Sequence, residues 1–544
     1  MVKPDMATRH QVPADEWSTA GRNPASSGMI TLAAVDAWCL RLSDRLDPML
    51  VRCVRQDLRS KVFTGVFSLL LLISAILSLV IAANAATATD QNARHGQYLF
   101  LGLGWCWSFA LVVVQGIATH RLVAQERNDD TWDLVELTGL PPRRIIRGLL
   151  LASLTQSALY TAAMAPFLVM AYLLRGLDLL TIAASLIAVP MLGVVAAVVG
   201  LLLACAIPNR KARAAGGAIV GLALLVGWSF ASTFIFTDSR FGLNSILREL
   251  ADGNSWAWAG IGMTINAWHA VTWLGLVLAT TLLLHRANNR SSGPRVAVLL
   301  VWLNAVAWAI GVALIGNLDE RERGQLFTIL AFFGTMGLLI SGIFALTEDA
   351  ALSPRQAREI AEAHGWRRRA MVFLGPGAAR ARWFMMVGAL LILPLILCGF
   401  ADTSGGYRSD QSQHAARAVW FMFGYGTLVL LVSDALARGP LARWCPAPMQ
   451  RRIVVFVVAA CWSVLPPLVA LLANYEGGLY AAMRLLTPGW AVVHYADDGQ
   501  AEPLVGILIA LPVMMLLVLA WQGRRLALVT QRVTAVAEDR NPRA

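Results

Sequence analysis

The sequence predicts an all-α, polytopic membrane protein of about twelve transmembrane helices in two six-helix halves, with both termini cytoplasmic. Three observations predict it. First, 57% of the 544 residues are hydrophobic and only 14% charged, with a mean hydropathy of +0.60; a soluble domain keeps about a quarter of its residues charged. Second, twelve apolar runs each approach the roughly 20 helical residues that cross a hydrocarbon core. They lie near 62–83, 98–118, 149–174, 179–207, 216–236, 263–284, 296–316, 326–346, 383–401, 416–437, 453–474 and 503–521. Third, the segments on one side of these runs (1–61, 119–148, 208–215, 285–295, 347–382, 438–452 and 522–544) hold 36 of the 45 Lys and Arg. Such a bias marks cytoplasmic loops. An even number of spans then puts both ends on that side of an inner (cytoplasmic or plasma) membrane. The same bias accounts for the net charge of +12 without invoking nucleic acid.

In chain order, 1–43 is an N-terminal cytoplasmic tail, partly disordered, and its first 28 residues lack the apolar core of a cleavable signal peptide. Residues 44–61 follow as an amphipathic juxtamembrane helix. Asp47 can cap it with Pro48 in the first position. Leu50, Val51, Val54 and Leu58 share one face, and Arg52, Arg55, Arg59 and Lys61 cover the other, as in a helix lying on anionic membrane lipids. The first six-span half is 62–284 with a long cytoplasmic loop at 119–148, the linker is 285–295, and the second half is 296–521 with its long loop at 347–382. A C-terminal cytoplasmic tail, 522–544, closes the chain. No residue-level repeat relates the halves; the symmetry is one of layout, as in transporters whose halves rock about a shared pathway. Two outer segments, 236–260 with Leu243, Ile246, Leu247 and Leu250 at helical spacing and 479–499 interrupted by Pro488, read as interfacial or re-entrant helices.

Several chemistries are excluded by what is missing. The only lysines are Lys3, Lys61 and Lys211, and none follows a glycine, so the chain contains no G-x-x-x-x-G-K-[ST] phosphate loop. H-E-x-x-H and G-x-S-x-G are absent as well. The seven cysteines form no C-x-x-C pair and none falls in an outer loop, so neither disulfides nor a metal are indicated. Charge within the spans is sparse, as its insertion cost of about 2.5–3.5 kcal/mol requires. His269 and Asp434, near span ends, read as interfacial residues rather than proton relays. Energy for any transport therefore has to come from outside the chain.

The stretch QERNDDTWDLVELTGLPPRRIIRG, 125–148, interrupts this hydrocarbon. Gln125 to Leu137 is compatible with a helix that has Leu134 and Leu137 on one face and Asp133 and Glu136 along an acidic edge. Thr138, Gly139, Leu140 and Pro141 form a turn, and Pro142 suits the first position of the next helix. Arg143, Arg144 and Arg147 stand at its mouth, where they reach headgroups. The result is a rigid knob able to pass force from a partner to a span.

Glu126, Arg127, Thr131, Leu134, Leu137, Thr138, Leu140, Arg143, Arg144, Ile145, Ile146 and Gly148 follow one another as in E-R-x-x-G-T-x-x-L-L-x-x-T-P-L-S-x-x-x-I-x-x-G-K. In that order the segment resembles the loop between spans two and three of type 2 ATP-binding-cassette exporter permeases. The resemblance extends to 44–61, similar to the connecting helix of that family, and to Leu486, Thr487 and Pro488 before the last span. Asp130 stands where the family has glycine, Leu149 where it has lysine, and an extra proline follows the turn. The resemblance implies a permease without an ATPase domain, not itself an enzyme, and with no cofactor of its own. Separate cytoplasmic P-loop ATPase subunits, two copies or two kinds, would bind ATP-Mg. The segment would then be a coupling helix: Glu126, Asp133 and Glu136 pairing with basic groups, Leu134 and Leu137 filling a cleft, and Gly139, Pro141 and Pro142 holding the angle. The loop at 347–382 keeps only an echo, a helical stretch at 354–363 and Phe373-Leu374-Gly375-Pro376-Gly377 leading to Arg380 and Arg382.

Two alternatives stay open. A twelve-span secondary carrier lacks here both relay charges and the loop signature G-x-x-x-D-R-x-G-R-R. A membrane-embedded enzyme acting on lipid-linked substrates would have only His494, Asp497 and Asp498 to draw on. No residue is marked as a substrate ligand.

Overall fold

The computed structural model describes residues 48–87, 94–128, 140–174, 177–207, 210–236, 243–284, 289–315, 318–349, 354–400 and 409–472. Among these the regular structure is helical and no strand occurs. Eleven helices are long and apolar enough to cross a membrane; the twelfth run, 503–521, lies outside the described residues, as does 479–499.

The order is α1 (Pro48–Leu58), α2 (Lys61–Thr87), α3 (His95–Phe109), a π-helical turn (Ala110–Val114), α4 (Gln115–Asn128), α5 (Pro142–Leu173), α6 (Leu179–Ala206) and α7 (Arg210–Phe236). It continues with α8 (Leu243–Ala251), α9 (Ser255–Leu283), α10 (Ser292–Ile315), α11 (Glu320–Leu346), α12 (Pro354–Glu362) and α13 (Gly365–Leu374). The last described helices are α14 (Ala378–Phe400), α15 (Ser409–Arg438) and α16 (Pro448–Leu472). α3, the π turn and α4 make one continuous span. α8 is the expected outer-loop helix, resting on α6, α7 and α9 with Leu247 buried.

The second span is central among the first six: α3 and α4 between them touch α2, α5, α6 and α7. α11 occupies the same place among the later spans, touching α10, α14, α15 and α16. The first set buries Leu99, Leu103, Trp107, Tyr160, Met164 and Phe236 in one core; the later set buries Leu326, Leu338, Phe384, Ile392 and Phe423 in another. α9 and α10 pack on each other, with Gly262 under the Trp308 ring and Asn304 donating to Asn266. Leu72 and Leu79 of α2 and Phe230 of α7 face outward, as lipid-facing positions do when the solvent is hydrocarbon.

Small residues set the closest approach. A Cβ on Gly200 would stand 2.3 Å from the Gly116 carbonyl oxygen, so α4 and α6 touch backbone to backbone. This is the device that lets membrane helices associate by van der Waals contact.

Candidate functional site

The stem of the 119–148 segment is built from α1, α4, α5 and α6. Ile145, Ile146 and Leu149, one side of the first turns of α5, are buried against Met49 and Cys53 of α1, Val123 of α4 and Leu201, Ala204 and Cys205 of α6. Gly148 is where α1 crosses: a Cβ there would lie 2.8 Å from the Met49 Cβ and 3.2 Å from the Leu50 nitrogen. α5 starts as its sequence dictates. Pro141 is extended (φ −67°, ψ 140°), Pro142 sits in the first turn, and the Arg144 amide donates to the Pro141 carbonyl at 2.8 Å.

The resemblance implies twelve coupling residues, Glu126, Arg127, Thr131, Asp133, Leu134, Glu136, Leu137, Gly139, Pro141, Pro142, Arg143 and Arg144, and of these Arg127 has the clearest placement. Its guanidinium Nη1 donates to the carbonyls of Ala204 at 3.2 Å and Cys205 at 2.9 Å, capping the C-terminal end of α6, where a cation meets unpaired carbonyls and the negative end of the helix dipole. Glu126 lies in the last turn of α4. Pro141 and Pro142 form the start of α5, and Arg143 and Arg144 are exposed there. Thr131, Asp133, Leu134, Glu136, Leu137 and Gly139 lie outside the described residues.

The juxtamembrane helix differs from expectation in two ways. Its deepest residues are Met49 and Cys53, with Leu50 and Val54 beside them, and this face is turned onto α5 rather than presented only to lipid. The cause is Gly148, which leaves a trough that α1 fills. The helix also stops at Leu58: Ser60 caps the next one, its hydroxyl accepting from the Phe63 amide at 3.1 Å, so Lys61 belongs to the first span. Arg52, Arg55, Arg59 and Lys61 are exposed.

A polar network inside the second span was not foreseen. The π turn places Gln115 against α5, where its Nε2 donates to the Ser153 carbonyl (2.7 Å) and hydroxyl (2.6 Å) and its Oε1 accepts from Ser157 at 2.8 Å. Thr119 approaches the Ser153 hydroxyl at 3.2 Å. The one sequence signal was a glutamine in a run of hydrocarbon. In lipid such a group is stable only with its amide satisfied, and π turns collect at functional sites.

The 347–382 region is assembled by charge. α12 fills the expected helical stretch, and α13 follows it. The Glu348 carboxylate Oε2 accepts from Arg295 Nη2 at 2.8 Å and from the Gly377 amide at 3.0 Å. Arg295 also donates to the Gly375 carbonyl. Arg380 donates to the carbonyls of Val372 (2.7 Å) and Pro376 (3.1 Å). Gly377, at φ +110°, makes the turn into α14. Asp434, near the end of α15, is buried and held by Arg382 at 2.5 Å and by Arg438 at 2.6 Å. Arg438 and Arg451 donate to the carbonyls that end α11, Leu346, Thr347 and Glu348, and Arg452 stacks on the Phe344 ring. The pairs that join one helix to another, Arg295–Glu348, Arg382–Asp434, Arg438–Leu346 and Arg451–Thr347, lie 52 to 104 residues apart in sequence, so no local pattern announced them.

Among the described residues no three His, Cys, Asp or Glu side chains come together as a metal site. No protein-family model, curated protein or solved structure matches the chain.

Proposed function

We propose that the chain is the permease of an ATP-binding-cassette exporter, two six-span halves in one polypeptide, with both termini in the cytoplasm. Separate P-loop ATPase subunits, two copies or two kinds, dock on 119–148 and 347–382, bind ATP-Mg and drive alternating access. The observation that carries this reading is the 119–148 segment: the order of its residues resembles a coupling loop, and its stem suits the task. Arg127 ties its incoming helix to the end of α6, and α1 braces its outgoing helix at Gly148. A load on 129–139 therefore reaches α1, α4, α5 and α6 at once. The recurrence of one neighbour scheme, α3–α4 among the first spans and α11 among the later ones, supports two related halves.

The test is purification of the tagged full chain from its native membrane in mild detergent, with co-purifying proteins identified by mass spectrometry. A stoichiometric P-loop ATPase, lost when Leu134→Asp and Glu136→Arg are combined, is the expected result. Recovery of the chain without an ATPase in several detergents would end the reading.

A further inference from the structure

The turn between α13 and α14 holds more buried positive charge than it neutralises. Arg295 is 4% exposed and Arg380 3%. Arg295 has Glu348 as partner through Nη2, but its Nε has no acceptor. Arg380 uses Nε and Nη1 on carbonyl oxygens, its Nη2 has no acceptor, and among the described residues it makes no ion pair. Of the two buried guanidiniums only Arg295 thus has a carboxylate, and the Oε2 of that carboxylate is also taken up by the Gly377 amide. An uncompensated buried cation is unfavourable unless an anion joins it.

The surroundings say which anion is at hand. α10, α11, α14, α15 and α16 all end here, Arg438 and Arg451 reaching across to the carbonyls that close α11. With those helices crossing a membrane, this end lies at headgroup depth. α13 presents Trp366, Arg369 and Phe373 outward at spacings of three and four residues, with Arg368 beside them, and Trp444 is exposed between α15 and α16. Exposed tryptophan beside arginine is the residue pairing of a membrane surface facing anionic lipid.

We propose that the α13–α14 turn is a binding site for an anionic phospholipid. The headgroup phosphate accepts from Arg380 Nη2 and Arg295 Nε, Arg368 and Arg369 draw it in, and Trp366 and Phe373 lie along the acyl chains. α13, whose final carbonyls both buried arginines hold, is the element that yields to admit it. The site rests on the membrane-spanning fold alone and is independent of the transporter reading.

The test uses the purified full chain in detergent, titrated with phosphatidylglycerol, phosphatidylcholine or inorganic phosphate, and followed by thermal unfolding and by native mass spectrometry of retained lipid. Phosphatidylglycerol should be retained and raise the unfolding temperature, and phosphatidylcholine should not. Removing both exposed charges in Arg368→Gln/Arg369→Gln should weaken the apparent affinity on the order of 20-fold, about fivefold per arginine, and Arg380→Gln should abolish retention. If Arg380→Gln does not fold, the exposed double variant decides. Equal effects of the two lipids, an unchanged affinity in the double variant, or an equal shift from phosphate alone would each overturn the proposal.

Discussion

The loops at 119–148 and 347–382 occupy equivalent places in the chain's layout, yet their surroundings are built by different physics. The first stem is held by shape: a glycine trough filled by α1, a backbone contact between Gly116 and Gly200, and one arginine closing a helix end. The second is held by charge, with the arginines of four spans converging on Glu348, Asp434 and the last carbonyls of α11. A shape-held joint resists sliding and transmits a push. A charge-held joint depends on each partner and responds to ions nearby. The same force applied at the two loops therefore meets different compliances, even where the layout of the chain is the same.

Substitutions can break this contrast, the largest effect first. Glu348→Gln leaves Arg295 buried without a carboxylate and should cost about 3 kcal/mol of stability, read as a lowered thermal midpoint of the purified chain; a neutral result would show that the second joint is not charge-held. Gly200→Ala drives a methyl into the Gly116 carbonyl and should cost about 2 kcal/mol, with faster hydrogen exchange in α4 and α6. Gly148→Ala meets Met49 and should cost about 1–2 kcal/mol, seen as early proteolysis of α1 while the spans stay protected. Arg127→Gln removes the cap on α6, about 1 kcal/mol, with faster exchange confined to the amides around Ala204. The paired exposed variant Arg143→Gln/Arg144→Gln should change stability by less than about 0.5 kcal/mol. A large loss there would mean those arginines are structural, contrary to their proposed role in docking.

The spans were legible because hydrocarbon thickness dictates their length; each of the eleven described falls on an expected apolar run. Their ends were not. The ninth was expected to begin at 383, but α14 starts at Ala378 because Arg380 and Arg382 find partners in Val372, Pro376 and Asp434 and so stay within the helix. The helix of the third span starts at Pro142, where the proline marked it, seven residues before the apolar run at 149, since Arg143, Arg144 and Arg147 lie on its exposed side while Ile145 and Ile146 pack inward. Charge counted against a helix in the sequence, whereas in the structure it decides where the helix can stand. The partners of Gln115 were illegible for a related reason: Ser153 and Ser157 are 38 and 42 residues away. For the candidate coupling residues the stem is described and the tip, 129–139, is outside the described residues.

The π turn at Ala110–Val114, closed by the Gln115 amide on the Ala110 carbonyl, also fixes the phase of the span that contains it. The turn takes up one residue more than an α turn, and each residue advances an α-helix by about 100°, so the same residues wound as a regular helix would rotate one flank against the other by about that angle. Leu99, Leu103 and Trp107 are seated in one core, while Gln115 and Gly116 are seated on Ser153 and Gly200. A regular helix could satisfy only one set. Side chains within 110–114 can therefore be exchanged for others of similar size, and the span should tolerate a one-residue deletion there, which returns the turn to α geometry, better than a one-residue insertion.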